Sequence, residues 1–474
     1  MSRRRKKLPA EPQRARIESL THDGRGVAHI EGKVVFVTGA LPGEEVMFRY
    51  TGLHGSFDEG RVQEVLQASP QRIEPHCAHF GTCGGCSLQH LSPEDQIAAK
   101  QERLLDNLSR MGKVAPGEVL APLTAEAWGY RRKARLSVRY MPREQVVRVG
   151  FRERDSRFLA DLDRCEVLHP AVGNRIRALA DLLGGLSIRD KVAQIEVAVG
   201  DDNVAPARIS PHPTAADADS RDAHASRDGE KCGLVFRNLA ELDEADREAL
   251  CAFGREHGII IFLQPGGPKT VTRLWPQQAE AEAVQLSYHL PEYGVELCFE
   301  PTDFTQVNMA LNRRMIDRAL ALLDPQPNER ILDLFCGLGN FSLPLARRAG
   351  AVVGVEGEAE LVERARENAR RNAIDNVEFH AADLTGNLAD EPWYGGGFDK
   401  LLLDPPRSGA AVVVANLPKP LPRRIVYVSC DPATLARDAG TLVNDLGYRL
   451  VSAGVMDMFP HTAHVESIAL FVRD

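Results

Sequence analysis

Cys430 stands at the end of an apolar run in "IVYVSCDPATLARD" (425–438), where a buried strand should give way to its loop. A structural buried thiol is the default for a cysteine, but a thiol delivered to a strand end can also ionise and act as a nucleophile. Carboxylates occupy comparable positions: Glu356 closes "AVVGVE", Asp383 lies in "AADL" and Asp404 ends the run in "LLLDPPRSG". "FPHTAHVES" (459–467) adds His461, His464 and Glu466. Glu466 immediately precedes the last apolar run, "SIALFV", and an antiparallel return of that run would carry it back to the other strand ends. It is therefore preferred to the histidines as a base, the alternative being an ordinary surface carboxylate.

"ILDLFCGLGNFSLPLA" reads as strand, glycine turn and helix, and Glu356 follows Gly339 at the distance where an acid meets ribose hydroxyls. Only Gly337 and Gly339 are present, followed by Asn340, so the three-glycine fingerprint for a pyrophosphate is missing. The looser turn suits S-adenosylmethionine (SAM), with Asp383 near the adenine edge. Arg407 follows the Pro-Pro pair where methylases of amino nitrogens carry an aromatic residue, which argues against a nitrogen acceptor. A thiolate beside a sulfonium fits carbon methylation. C5 of uracil becomes electron-rich once sulfur adds to C6, and loss of the C5 proton then expels the thiol.

These residues must be held by strands alternating with helices from about residue 290 onward: "RILDLF", "AVVGVE", "VEFHAAD", "FDKLLLDPP", "RIVYVSC", "YRLVSAGVMDMF" and "VESIALFV". The pattern predicts an α/β, Rossmann-like domain over 291–474 with a mostly parallel sheet covered on both faces. Ahead of it, a basic tail (1–14) leads into five short β-rich runs, predicting a small OB-like barrel over 15–70. A helix is expected over 93–111, opened by Ser92 and Pro93, with a possible seat on the carboxyl-terminal domain. Residues 71–290 form a central α+β region, strand-like over 130–200, with a polar insert at about 201–230 whose composition predicts a mobile loop.

The chain of 474 residues is long enough for several domains, and no apolar run reaches membrane-spanning length. Its start lacks the apolar segment of a signal peptide, so a cytoplasmic location is expected, with no membrane partner. Net charge is −8, yet Trp128–Arg164 holds eleven Lys/Arg against five Asp/Glu, interleaved with Tyr130, Tyr140, Phe151 and Phe158. That patch favours RNA over the simpler reading of a solvated hairpin. Nine cysteines are too few for a disulfide scaffold. Cys77, Cys83 and Cys86 are spaced as metal ligands in "PHCAHFGTCGGCSLQH", and both zinc and a [4Fe-4S] cluster accept four thiolates. Cys232, Cys251, Cys298 and Cys336 lack such context.

"DFTQVN", "DLFCGLGNF", "LDPPRSG", "YVSCDPATLARD" and "FPHTAHVES" together resemble the RNA (uracil-5-)methyltransferases over residues 300–474. The resemblance implies Cys430 as nucleophile and Glu466 as base. It places Gln306, Phe335, Asn340, Glu356, Asp383 and Asp404 at the SAM or uracil site. "DGRGVAHIEGKVVFV" resembles a TRAM barrel, although small barrels also bind proteins, and the three-plus-one cysteine layout resembles the cluster-bearing branch of the family, with Cys165 as fourth ligand. Barrel and cluster together imply 23S ribosomal RNA as substrate, a SAM donor and a [4Fe-4S] cluster of structural or RNA-positioning role. A monomer is expected. The rivals are another ribosomal or transfer RNA uridine, a non-catalytic RNA chaperone, and a radical methylase, the last disfavoured by the absent C-x-x-x-C-x-x-C spacing.

Overall fold

A computed structural model describes residues 8–154, 156–201, 230–277 and 285–473. Residues 1–7 of the basic tail and 202–229 of the polar insert lie outside the described residues. The chain divides into two compact units. One comprises Met1–Arg103, Phe151–Ala160 and Phe459–Val465; the other comprises Leu104–Gly150, Asp161–Met458 and Glu466–Asp474.

The first unit opens with β1 (Gln13–Arg16), β2 (Ser19–Leu20), β3 (Gly26–Ile30), β4 (Lys33–Thr38), β5 (Glu45–Leu53) and β6 (Phe57–Gln67). They form one sheet in the order β1-β5-β6-β4-β3-β2. Alternate residues, Val35 and Val37 on β4 and Val46 and Phe48 on β5, point inward to Ala15, Ile17 and Ala28. There are six strands where the sequence predicts five, because "ARIESL" changes partner at Ile17: β1 pairs with β5 and β2 with β3. Ile17 spans the switch by donating to Glu44 and accepting from Gly43. After the barrel, 72–92 runs without helix or strand and is held by backbone bonds such as Cys83 N–H to His79 (2.9 Å) and Gly84 N–H to Arg152 (2.8 Å). Helix α1 (Pro93–Asn107) follows, with Ser92 Oγ accepting from the Asp95 amide.

The second unit begins in the last turns of α1, which widen into a π-helical turn at Leu108–Gly112. Gly112 lies against the helix that follows Cys430: a Cβ there would stand 2.4 Å from the Ala436 carbonyl, so only glycine allows the approach. Next come β7 (Glu118–Val119), β8 (Lys133–Met141), β9 (Val146–Gly150), α2 (Pro170–Gly173), α3 (Ile176–Gly185), β10 (Val192–Val199), β11 (Cys232–Asn238), α4 (Glu244–His257), β12 (Ile259–Leu263) and β13 (Thr272–Trp275). Six of these strands make one sheet in the order β13-β12-β11-β10-β8-β9. The strand-like reading of 130–200 fails over 170–185, where Ile176, Leu179, Ala180 and Leu183 recur at helical spacing and are buried.

A hairpin of β14 (Leu286–Leu290) and β15 (Val295–Phe299) leads to α5 (Met309–Leu323), β16 (Arg330–Leu334), α6 (Ser342–Ala346), β17 (Ala351–Glu356), α7 (Ala359–Arg371), β18 (Val377–Ala381), β19 (Lys400–Leu403), α8 (Ala411–Ala415), β20 (Arg424–Ser429), α9 (Pro432–Gly440), β21 (Arg449–Met456) and β22 (Glu466–Val472). The resulting eight-stranded sheet has the order β18-β17-β16-β19-β20-β22-β21-β7. Strands β16 to β20 are mutually parallel, and β22 enters antiparallel between β20 and β21. Leu401–Leu403 and Ile425–Val428 are buried on both faces, as central parallel strands require.

Candidate active site

The parallel strands all end at one edge of this sheet, where crossover topology leaves room for a ligand. After β16 the chain turns through Phe335 (φ 65°), Gly337 (φ 56°) and Gly339 (φ 98°) before α6. Glu356, the last residue of β17, accepts from the Gly337 amide (3.0 Å) and from the Gly357 amide (2.7 Å). Asp404 follows β19. Cys430 is the single residue between the end of β20 at Ser429 and Asp431, which caps α9 by accepting from the Ala433 and Thr434 amides. The β20–β22 ladder pairs Ser429 with Ser467, so the next step of the register sets Cys430 opposite Glu466. The antiparallel return expected for "SIALFV" therefore puts nucleophile-type and base-type side chains on neighbouring strands.

The edge is crowded with acids and poor in cations. Burial pushes the Cys430 thiol up from 9.0 to about 12, with Glu466 and Asp404 adding to the rise and Arg407 opposing it. Glu466 is buried and held well above the carboxylate range by desolvation, again with Asp404 adding and Arg407 opposing. Asp404 is raised by burial to about 7, helped by Glu356. The thiol is thus protonated at neutral pH, the Glu466 carboxyl is shifted in the same direction, and Asp404 is poised to exchange a proton there.

The remaining site residues stand as follows. Gln306 is half-buried just before Asn308, the N-cap of α5. Asn340 is engaged by protein: its carbonyl accepts from the Tyr288 hydroxyl (2.8 Å) and the Asn312 amide (3.0 Å), and its own amide donates to Asn312 (3.0 Å). Asp383 is exposed beyond β18 and accepts from Thr385 N–H and Oγ–H. In the first unit His461 is a packing residue. Its amide donates to Gln96, and its carbonyl accepts from Ser87 and Leu88. His464 is exposed.

Sequence reasoning missed Asp333. It is wholly buried in β16, accepts from Ser342 Oγ (2.5 Å), leaves its other oxygen without a partner among the described residues, and is raised by burial to about 8. The signal was available, since it is the one charge inside the apolar run "ILDLF".

A family profile described as tRNA (Uracil-5-)-methyltransferase matches residues 282–474, and a TRAM domain profile matches residues 6–49. A protein of Alkalilimnicola ehrlichii named 23S rRNA (uracil(1939)-C(5))-methyltransferase RlmD is 54% identical over 474 residues, covering 100% of this chain and 99% of its own. Its namesake from Methylococcus capsulatus is 51% identical, covering 99% of each chain. This chain belongs to the RNA (uracil-5-)methyltransferase family. The solved tRNA (uracil-54, C5)-methyltransferase of Pyrococcus abyssi, in complex with S-adenosyl-L-homocysteine, shares the fold, with TM-score 0.69, 24% identity and coverage of 97% and 99%. The family's SAM-dependent methyltransferase fold and its TRAM barrel are therefore both present.

Two sequence expectations fare differently against this methyltransferase's geometry. Cys77, Cys83 and Cys86 lie in the irregular segment of the first unit and Cys165 in the second, just ahead of α2. All four are outside disulfides, but among the described residues no three His, Cys, Asp or Glu side chains converge as a metal site. The basic patch is largely committed to protein partners. Arg132 pairs with Asp201 (3.1 Å) and Glu230, Arg148 with Glu144 (2.8 Å), Arg164 with Glu166 (2.6 Å), and Tyr130 is buried. Arg139, Arg143, Arg152 and Arg157 are exposed. No helix among the described residues is long and apolar enough to cross a membrane.

Proposed function

We propose that this enzyme methylates C5 of a uridine in 23S ribosomal RNA, the position that its relatives' names give as 1939, through a covalent bond between Cys430 and C6. The observation that carries the reading is the register that sets Cys430 opposite Glu466 at the sheet edge shared with Glu356 and Asp404. SAM supplies the methyl group and, as a sulfonium, a positive charge that lowers the proton affinity of the acids and thiol around it.

Asp404 takes the thiol proton, as the group that titrates nearest neutrality. Glu466 gives up its own proton to solvent when the sulfonium binds beside it. Cys430 then adds to C6, C5 takes the methyl group, and the Glu466 carboxylate removes the C5 proton. The sulfur–C6 bond breaks and returns the thiolate. Arg407 is the cation that favours the ionised forms of both Cys430 and Glu466. Glu356 and Asp383, at the ends of neighbouring strands, are assigned to the donor's ribose and adenine ends. Gln306 is assigned to the uracil edge, since an amide both donates and accepts. Phe335 and Asn340 shape the donor turn, Asn340 through its bonds to Tyr288 and Asn312. To reach the edge, the uridine must leave its stack.

The cysteine segment suits a [4Fe-4S] cluster in its donor chemistry. Three thiols sit in a stretch of 72–92 that has no regular structure of its own, and the Gly85 amide donates to Cys83 Sγ (3.4 Å), as cluster-binding thiolates attract. Cys165 is the fourth ligand that the family resemblance supplies. No step of methyl transfer passes through it.

The test is incubation with a ribosomal RNA fragment carrying 5-fluorouridine at the target. Fluorine cannot leave as a proton, so wild type is expected to form an adduct that survives denaturation and Cys430→Ala none. An adduct in Cys430→Ala, or its absence in wild type loaded with SAM, refutes the reading.

A further inference from the structure

The six-stranded sheet of the second unit has one face under a helix and the other facing a cleft. Helix α4 lies on the face that carries Ile261, since a Cβ at Gly254 would stand 2.9 Å from the Ile261 side chain. Side chains alternate along strands, so the neighbours of that face's residues point the other way. There the ladders align Ser137 with Gln194 and Gln194 with Arg237, and one further step of the β11–β12 register adds Gln264. A polar row thus crosses four strands.

Gln194, Arg237 and Gln264 of this row line a cleft of about 1010 Å³. Its opposite wall includes Glu358, two residues past Glu356, and the 299–304 segment that leads into Gln306, so the cleft adjoins the active edge. Among the described residues, the side chains of Gln194, Arg237 and Gln264 have no hydrogen-bond or ion-pair partner, although Gln264 is only 9% exposed. A buried amide without a protein partner is built for a ligand or water. The ligand is not a row of phosphates, because four arginines in the lining face five carboxylates, and Glu300, Asp303 and Glu196 are in ion pairs with Arg364 and Arg135. Without positive potential the face cannot hold a backbone by charge. Amides and a guanidinium fork instead match the donor and acceptor edges of unpaired bases, which a flat sheet accommodates.

We propose that this cleft-facing sheet face reads the edges of unpaired RNA bases flanking the target uridine, with Gln194, Arg237 and Gln264 as the reading groups. The inference rests on the RNA methylation proposed above and adds where sequence preference resides. Arg237 is suited to a guanine edge and the amides to adenine.

The experiment compares wild type, Arg237→Ala, Arg237→Lys and Gln264→Ala, all full-length. The substrates are transcripts of the 23S segment around the target in which each flanking nucleotide is replaced singly. Arg237→Ala and Gln264→Ala are expected to lose about 5- to 150-fold in kcat/KM on the natural transcript, and each to lose discrimination at one flanking position. Arg237→Lys keeps the charge but not the fork and should not restore discrimination. The salt dependence of RNA binding should keep its slope. A slope reduced by about one on removing Arg237 would mark a phosphate contact and overturn the proposal; so would unchanged kcat/KM and discrimination. The 5-fluorouridine adduct separates the two failures: an adduct in wild type with variants indistinguishable from it sinks only this inference, and no adduct in wild type sinks the reaction itself.

Discussion

The proton on Cys430 gives the sharpest prediction. Moving a thiol from 9.0 to about 12 leaves about a thousandfold less thiolate at neutral pH. A more basic thiolate is intrinsically more nucleophilic, and a Brønsted slope of about 0.4–0.5 recovers roughly 15- to 30-fold. The free protein should therefore react with an aromatic disulfide reagent at Cys430 about 30- to 60-fold more slowly than a simple thiol at the same pH. The rate, followed by mass spectrometry of the Cys430 peptide, should climb about tenfold for each pH step of one between about pH 7 and 10, without a plateau. Adding SAM should accelerate the labelling more than adding S-adenosylhomocysteine does, because only SAM brings the sulfonium's positive charge to the edge with Glu356, Asp404 and Glu466. A plateau at or below about pH 9, or equal effects of the two ligands, refutes the electrostatic argument.

Other tests address single residues. Glu466→Gln removes the base but leaves addition and methyl transfer intact, so methylated RNA should remain covalently attached; rapid release of free product in a quenched reaction would exclude Glu466 from that role. Asp333 has its folded pKa raised to about 8, so the stability it gives is full below the unfolded carboxylate range and is lost as pH rises from about 4 to 8. Asp333→Asn keeps an acceptor for Ser342, and its denaturation midpoint should gain on wild type steadily across that window; parallel profiles would contradict the burial argument. Cys83→Ser in protein purified without oxygen should lower bound iron and visible absorbance, and unchanged iron would remove Cys83 from the proposed ligand set.

The carboxyl-terminal architecture was legible because parallel strands buried on both faces read as continuous apolar runs, and each run ends at its polar residue. Cys430, Glu356 and Asp404 could therefore be placed on one edge from the pattern alone. Glu466 followed from its place just before the last apolar run and the antiparallel return expected of that run. The pattern failed where tertiary partners decide. Nothing in "ARIESL" shows that the chain changes partners at Ile17, and charged residues interrupting 170–185 mask its helical spacing. The basic run 128–164 looked like a free cationic surface, but Asp201 and Glu230, distant in sequence, neutralise Arg132. Asp333 was passed over although it is the one charge inside the apolar run "ILDLF", because attention went to the acids at the strand ends. Asn340 sits in the donor turn as the spacing suggests, yet its amide is tied to Asn312 and Tyr288, which only the packing of α5 and β14 reveals.

The ladder between β20 and β22 also limits how this sequence can drift. Deleting or inserting one residue within 466–472 while the rest of the pairing held would rotate the carboxylate to the opposite surface of the sheet. Lineages are thus free to exchange apolar side chains along "SIALFV", but changes of chain length within that stretch are barred.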